Sequence, residues 1–274
     1  DNTSATAQAS QFLMPGLFLQ NDMSLSDEQN LLLGLRYDYH TDHGTILTPR
    51  MAYKWNFGSY NTLRLNAGTG FRVVNLFTEE HAALTGARQV LITENLNPEQ
   101  SYNINLNYVK KWYLNSGIYL AADFSSWYTH FTNQIIPDYD TDPNLIIYDN
   151  LKGYSVSRGI SANIDISFPL GLSGRMGASY LDVFSLENRE AGLNDKLRPV
   201  LTERWTGTWA LSYAWAKTNL TFDYTGNLYG PMRLPVLGPR DPRPEYSPWW
   251  SIQNLQVTWA PDQKNWEIYG GVKN

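Results

Sequence analysis

Three stretches of the 274-residue sequence bring chemically capable side chains close together. His40-Thr41-Asp42-His43 sets two imidazoles and a carboxylate in one tight turn, a donor set that suits a divalent metal. The same residues, followed by Gly44, are also what a plain hairpin turn uses. Asp138-x-Asp140-x-Asp142, with Asp149 beyond, spaces carboxylates as a calcium loop does. Pro143 stands where that loop needs glycine, which leaves either a looser surface calcium site or a solvated acidic loop. The segment 231–250 holds six prolines together with Arg233, Arg240 and Arg243. The prolines stiffen it, and the guanidinium groups suit an anionic ligand or an anionic membrane surface. No G-x-S-x-G, H-E-x-x-H, P-loop or C-x-x-C occurs, and Glu79-Glu80 lacks any periodic setting, so no enzyme is expected.

Composition narrows the classes further. The formal charge is −5 and no basic run is present, which argues against nucleic acid as a partner. Cysteine is absent, so disulfides, Cys-based zinc sites and thiol chemistry are excluded. Aromatic residues make up 14% and charged residues only 17%, a mixture that is neither disordered nor typical of a soluble domain. No apolar run is long enough for a transmembrane helix. The opening Asp1-Asn2-Thr3-Ser4 has no basic stretch leading into an apolar one, so no signal peptide is expected within these residues.

The apolar pattern that must position these groups has period two. Tyr102, Ile104, Leu106 and Tyr108 alternate with three asparagines, and Ile160, Ala162, Ile164 and Ile166 alternate with Ser161, Asn163 and Asp165. Such alternation makes strands with unlike faces. It predicts about twelve: 12–24, 30–40, 45–57, 62–72, 99–113, 117–131, 150–168, 172–187, 199–215, 218–230, 247–260 and 266–274. A change of phase near Gln253-Asn254 predicts a bulge or a shifted boundary there. Connections alternate between short turns (26–29, 58–61, 114–116, 169–171, 216–217, 261–264) and long loops (73–98, 132–149, 188–198, 231–246), with the turn at 42–44 an exception. Strands this long, with one end of short turns and one of long loops, fit an antiparallel transmembrane β-barrel. Aromatics near strand ends, among them Tyr37, Trp55, Trp112, Trp127, Trp215, Tyr229, Trp249, Trp250 and Trp259, read as interfacial girdles. Arg36, Asp38, Arg50, Lys54, Arg64, Arg72, Asp123, Asp165, Arg204 and Asp223 lie out of phase with the apolar positions and would line a wet lumen.

Five segments, in order, carry a family resemblance. Gly34-Leu35-Arg36-Tyr37-Asp38, Thr48-Pro49-Arg50, Gly70-Phe71-Arg72-Val73-Val74-Asn75-Leu76-Phe77, Asn95-Leu96-Asn97-Pro98-Glu99-Gln100-Ser101-Tyr102-Asn103 and Tyr269-Gly270-Gly271-Val272-Lys273-Asn274 resemble the barrel boxes of TonB-dependent outer-membrane receptors. Phe71, Arg72, Leu96, Pro98, Glu99 and Ser101 fall at the matching motif positions, whereas Val74 replaces the proline of the first long box. The resemblance implies an outer-membrane receptor that takes up a scarce large nutrient: a ferric siderophore, haem or cobalamin. It implies TonB as the energy-giving partner, acting through a plug domain, with membrane lipid and lipopolysaccharide around the barrel. Since that family has twenty-two strands, residues 1–274 are expected to be part of one barrel domain, incomplete at both ends. A passive porin-like small barrel and a soluble all-β binding module are the alternatives. His81 lies between the two long boxes, where the haem-receptor branch places an axial iron ligand. No intrinsic cofactor is expected. Haem or a metal chelate would be the transported ligand, with His81, Arg233, Arg240 and Arg243 as candidate contacts.

Overall fold

The computed structural model describes residues 12–74, 89–138, 141–142, 144–188, 194–235, 242–261 and 266–274. Its strands are β1 (Gly16–Ser26), β2 (Gln29–His40), β3 (Gly44–Phe57), β4 (Asn61–Arg72), β5 (Gln89–Ile92), β6 (Glu99–Tyr113), β7 (Tyr119–Asn133), β8 (Ile135–Asp138), β9 (Leu145–Asn150), β10 (Gly153–Ser167), β11 (Leu172–Asn188), β12 (Asn194–Leu197), β13 (Trp205–Trp215), β14 (Leu220–Tyr229), β15 (Trp250–Trp259) and β16 (Ile268–Lys273). One large sheet runs β1-β2-β3-β4-β6-β7-β10-β11-β13-β14-β15-β16, with β12 extending β11. These twelve principal strands are the twelve that period two predicts, each paired antiparallel with its neighbour. Their order is sequential because every connection is a turn or loop between adjacent strands. β1 and β16 stand at opposite edges and are not paired with each other.

Register fixes which residues share a face. The Ile160↔Tyr180 and Ile164↔Met176 pairs alternate with Ser161↔Ser179, Asn163↔Gly177 and Asp165↔Arg175 without interruption. One face is therefore apolar and the other polar along the strand. The apolar face is open: Ile160, Met176 and Leu255 are each half-exposed or more. Among the described residues, the only cluster of mutually packed buried apolar side chains lies not between long strands but in a second, small sheet. That sheet, β5-β9-β8, joins β5 parallel and β8 antiparallel to β9 and buries Val90, Ile135, Ile146 and Tyr148. It ties the loop after β4 to the loop after β7. A soluble sandwich would instead cover the long apolar face.

Two aromatic bands cross the apolar face. Trp55, Phe57, Trp112, Tyr213, Trp215 and Trp259 mark the short-turn end; Tyr37, Tyr102, Tyr128, Tyr180 and Trp205 mark the loop end. Three aromatics depart from the expected girdles. Trp127 faces the polar side, where a side chain at Gly159 would collide with its ring. Tyr229 and Trp250 are paired across strands on the polar face and stack with centroids 4.2 Å apart. The expected bulge at Gln253-Asn254 is absent: β14 and β15 pair in unbroken register from Leu220↔Trp259 to Tyr229↔Trp250. The phase change arises because Trp250 and Ile252 face the polar side while Leu255, Val257 and Trp259 face the apolar one. Register shifts occur instead at Ser24/Ser26 and Gln100/Ser101.

Ile164 lies mid-strand on the apolar face and Ser161 on the polar face. Ile164→Lys is expected to lower the unfolding free energy in lipid by about 2–4 kcal/mol, and Ser161→Lys by less than about 1 kcal/mol. Denaturant titration of the whole protein in lipid vesicles checks the difference.

Candidate functional site

At the loop end, the two longest family-like boxes meet in one contact. β4 and β6 are registered so that Arg72 stands opposite Glu99. Arg72 Nε donates to Glu99 Oε2 at 2.8 Å, and the backbone N–H of Ile135 donates to Glu99 Oε1 at 3.0 Å. The Glu99 side chain is 8% exposed, while Arg72 is 53% exposed. One buried carboxylate thus joins two barrel strands to the first residue of β8. Asn150 completes the joint. Its Nδ2 donates to the Asn95 carbonyl at 2.8 Å, its Oδ1 accepts the Asn97 N–H at 2.8 Å, and its own N–H donates to Glu94 Oε1 at 3.0 Å. Asn133 Nδ2 donates to the carbonyls of Asn97 and Pro98, both at 3.1 Å. Leu96 packs against the small-sheet core, and Pro98 is buried beside Glu99. The motif residues Arg72, Leu96, Pro98 and Glu99 therefore tie the ends of β4 and β6 to the small sheet. Ser101 faces Gly70, the glycine of the other box, and Phe71 lies on the apolar face.

Beside this joint the sheet splits. β3 pairs with β2 from Gln29↔Trp55 to His40↔Gly44, but with β4 only from Phe57↔Asn61 to Arg50↔Gly68. Pro49 has no N–H to offer β4, so the ladder ends there. Phe18, Arg36, Thr48, Arg50, Thr69 and Phe71 line the resulting cavity of about 450 Å³. Arg36 is held by Asp38 through Nε at 2.7 Å and Nη2 at 2.8 Å, and Asp38 is fully buried. Arg50 donates to Gln20 Oε1. Lower on the polar face, Arg64 donates to Asn107, Asn107 to Asp123, and Arg175 pairs with Asp165. The lumen-side charges are largely arranged as cross-strand partners, which suits a wet wall. Arg204 departs from that face: it donates to the Tyr180 hydroxyl and approaches Asp182, both on the apolar side.

The other predicted site residues are separated. His81 and Arg240 lie outside the described residues, as do Asp140 and Pro143. Arg233 Nη1 donates to the Arg198 carbonyl at 3.3 Å and its Nε lies 3.7 Å from Glu245. Arg243 Nη2 donates to the Pro235 carbonyl at 3.1 Å. Both thus hold the 231–246 loop to itself and to the rim. The His40 and His43 rings lie tilted against each other with centroids 4.7 Å apart, and His40 Nδ1 accepts the Asp42 N–H at 3.1 Å. Burial, then the neighbouring His40, holds His43 below its ordinary imidazole value against the pull of Asp42. Among the described residues, no three His, Asp or Glu side chains form a metal-holding group. The acidic loop caps its own turns: Asp138 accepts the Thr141 N–H at 3.0 Å, and Asp142 accepts the Asn144 N–H at 2.7 Å. Burial pushes the Asp149 carboxyl above the ordinary carboxylate range; Glu94 and Asp138 add to this and Lys152 opposes it.

A cluster that sequence reasoning missed surrounds Asp182, where Arg158, Lys196, Arg198 and Arg204 converge from β10, β12 and the segment before β13. Alternation at 158 and 182 was readable, but the convergence depends on β12 folding back on β11.

A protein-family model described as "TonB dependent receptor-like, beta-barrel" matches residues 1–274. The ferrienterobactin receptor of Escherichia coli K12 is 23% identical, over 94% of this chain and 36% of its own length. An iron-regulated outer membrane virulence protein of Vibrio cholerae is 26% identical over 43% of this chain and 18% of its own length. The siderophore receptor PirA of Pseudomonas aeruginosa superposes with a TM-score of 0.67 at 18% identity, covering 97% of this chain and 43% of that one. The FrpB iron transporter of Neisseria meningitidis gives 0.70 at 16% identity, covering 96% and 40%. The chain spans less than half the length of each of these relatives.

Removing the Arg72 guanidinium leaves a buried carboxylate with one of its two named donors. Arg72→Met is expected to cost about 1–3 kcal/mol of local stability. Hydrogen-exchange protection at Val90, Ile135 and Ile146 should fall while that of mid-strand β10 is unchanged.

Proposed function

Because the chain belongs to the TonB-dependent receptor β-barrel family, we propose that its twelve long strands form part of the wall of a larger outer-membrane receptor that takes up a ferric siderophore. The observation that carries this reading is the family match across residues 1–274, together with the iron and siderophore relatives of the same fold. Physical features agree with it. The sheet has a lipid-type face and a charged polar face, and its loop end carries a folded rim rather than open turns. The edges at β1 and β16 leave backbone donors and acceptors that lipid does not satisfy, so further strands of the whole protein are proposed to pair with them. That need disfavours a passive closed barrel of these twelve strands alone.

In this reading the loops and the mouth capture the iron chelate, and the barrel wall holds the path through the membrane. Arg233, Arg240 and Arg243, the arginines of the proline-rich segment 231–250, supply positive charge to an anionic chelate. TonB supplies the energy for release through the plug of the whole receptor. A haem ligand would instead draw on His81 as an axial donor.

Tryptophan-fluorescence titration of the whole receptor in detergent, with a ferric siderophore and with hemin, separates the two. Saturable siderophore binding that is unchanged by His81→Ala is the expected outcome. Hemin binding that His81→Ala abolishes, with no siderophore binding, would overturn the siderophore assignment in favour of haem.

A further inference from the structure

We infer that the apolar face carries, at its loop end, a binding site for the phosphate groups of an outer-leaflet lipid. The cross-strand pair Arg158↔Asp182 continues the rows Ile164↔Met176 and Ile160↔Tyr180 with no register shift, so both residues lie on the lipid side of the sheet. From Ser167 at the short-turn end up to Arg158 the strand climbs about 30 Å, which at a tilt of about 40° is about 23 Å of height. An apolar belt of about 25 Å ends at that level. Tyr128, opposite Arg158 on β7, and the Tyr180–Trp205 ring pair, with centroids 4.7 Å apart, mark the same boundary.

Four cations meet one anion there. Arg158 contacts Asp182 Oδ2 through Nη2 at 3.0 Å and Nε at 3.2 Å. Arg198 Nη1 reaches Oδ1 at 2.9 Å, Lys196 Nζ reaches Oδ2 at 3.4 Å, and Arg204 Nη2 lies 3.9 Å from Oδ1. Asp182 is 3% exposed. Its carboxylate can neutralise one of the four, which leaves an excess of three positive charges among the described side chains that meet there. The side chains of Arg158, Arg204 and Lys196 stay 54%, 44% and 40% exposed, so a ligand can reach them.

The cluster is also built to hold its shape. Phe184, itself buried, lies beneath it: Lys196 Nζ stands 3.8 Å from the ring centroid and Arg158 Cζ 5.7 Å. Cations over an aromatic face and around a buried carboxylate are oriented before a ligand arrives. The complement is a phosphorylated amphiphile, with phosphate oxygens on the guanidinium and ammonium groups and acyl chains along Ile160, Ile164 and Met176. A free phosphate shares the headgroup chemistry but would not use the apolar rows below it.

The inference rests on the outer-membrane placement and not on the siderophore reading; siderophore binding should therefore be unchanged in the variants below. The test measures binding of bisphosphorylated lipid A to the whole delipidated receptor in detergent by native mass spectrometry. Arg158→Gln combined with Lys196→Gln should weaken it about thirtyfold, the scale for two basic groups at an anionic membrane surface. Lys110→Gln, a cation on the same face at the short-turn end, should leave it unchanged. Wild-type receptor should also bind lipid A stripped of its phosphates much more weakly, an arm that needs no variant to fold. Inorganic phosphate at millimolar concentration should not displace the lipid. Equal binding of phosphorylated and phosphate-free lipid would overturn the site, as would undiminished binding by the folded double variant. Displacement by inorganic phosphate would overturn its assignment to a lipid.

Discussion

Each long strand separates two solvents, and that constraint governs the molecule. On one side lies hydrocarbon, which accepts no unpaired backbone N–H or C=O; on the other lies water. The backbone answers by pairing in sequential antiparallel order from β1 to β16, every strand between these two edges having a neighbour on each side. Side chains answer by alternating, as Ile160, Ala162 and Ile164 do against Ser161, Asn163 and Asp165. Because the constraint holds along the whole membrane thickness, it also sets strand length. The larger departures lie at the loop end. Pro49 ends a ladder there, and the rim forms a separate sheet with its own apolar core.

The long strands were legible because a two-residue period against a fixed solvent boundary leaves a regular signal. The small rim sheet was not. β5 and β8 are four residues each, and Val90-Leu91-Ile92 and Ile135-Ile136 are continuous apolar runs without alternation. Their partner β9 lies in a different loop from β5, so local sequence cannot announce the pairing. Phase alone also misled at Gln253-Asn254, because aromatic Trp250 sits on the polar face against Tyr229 and mimics a break in the pattern.

The candidate site was legible as parts and not as an assembly. Arg72 and Glu99 stood out as motif positions, but only register shows that they form one ion pair and that Ile135 joins it. Arg233 and Arg243 stood out as cations in a proline-rich loop, and the structure engages both in holding that loop. The convergence at Asp182 left no local trace, since its members come from β10, β11, β12 and the segment before β13. Together these features divide the work of the chain. The sheet has an apolar face and a charged face, and its loop end carries a clamped rim with its own small core. The cationic cluster sits where the first of these regions gives way to water.

The most direct test of the account is the solvent seen by successive β10 side chains. The chain has no cysteine, so single cysteines can be placed at 160 through 165 in the whole protein without background. Each is labelled with an environment-sensitive fluorophore in lipid vesicles, and quenching by brominated lipid is compared with quenching by aqueous iodide. Lipid should quench at 160, 162 and 164, and iodide at 161, 163 and 165. Quenching by one agent alone at all six positions, or no alternation between them, would contradict a wall with lipid on one face and a watery lumen on the other.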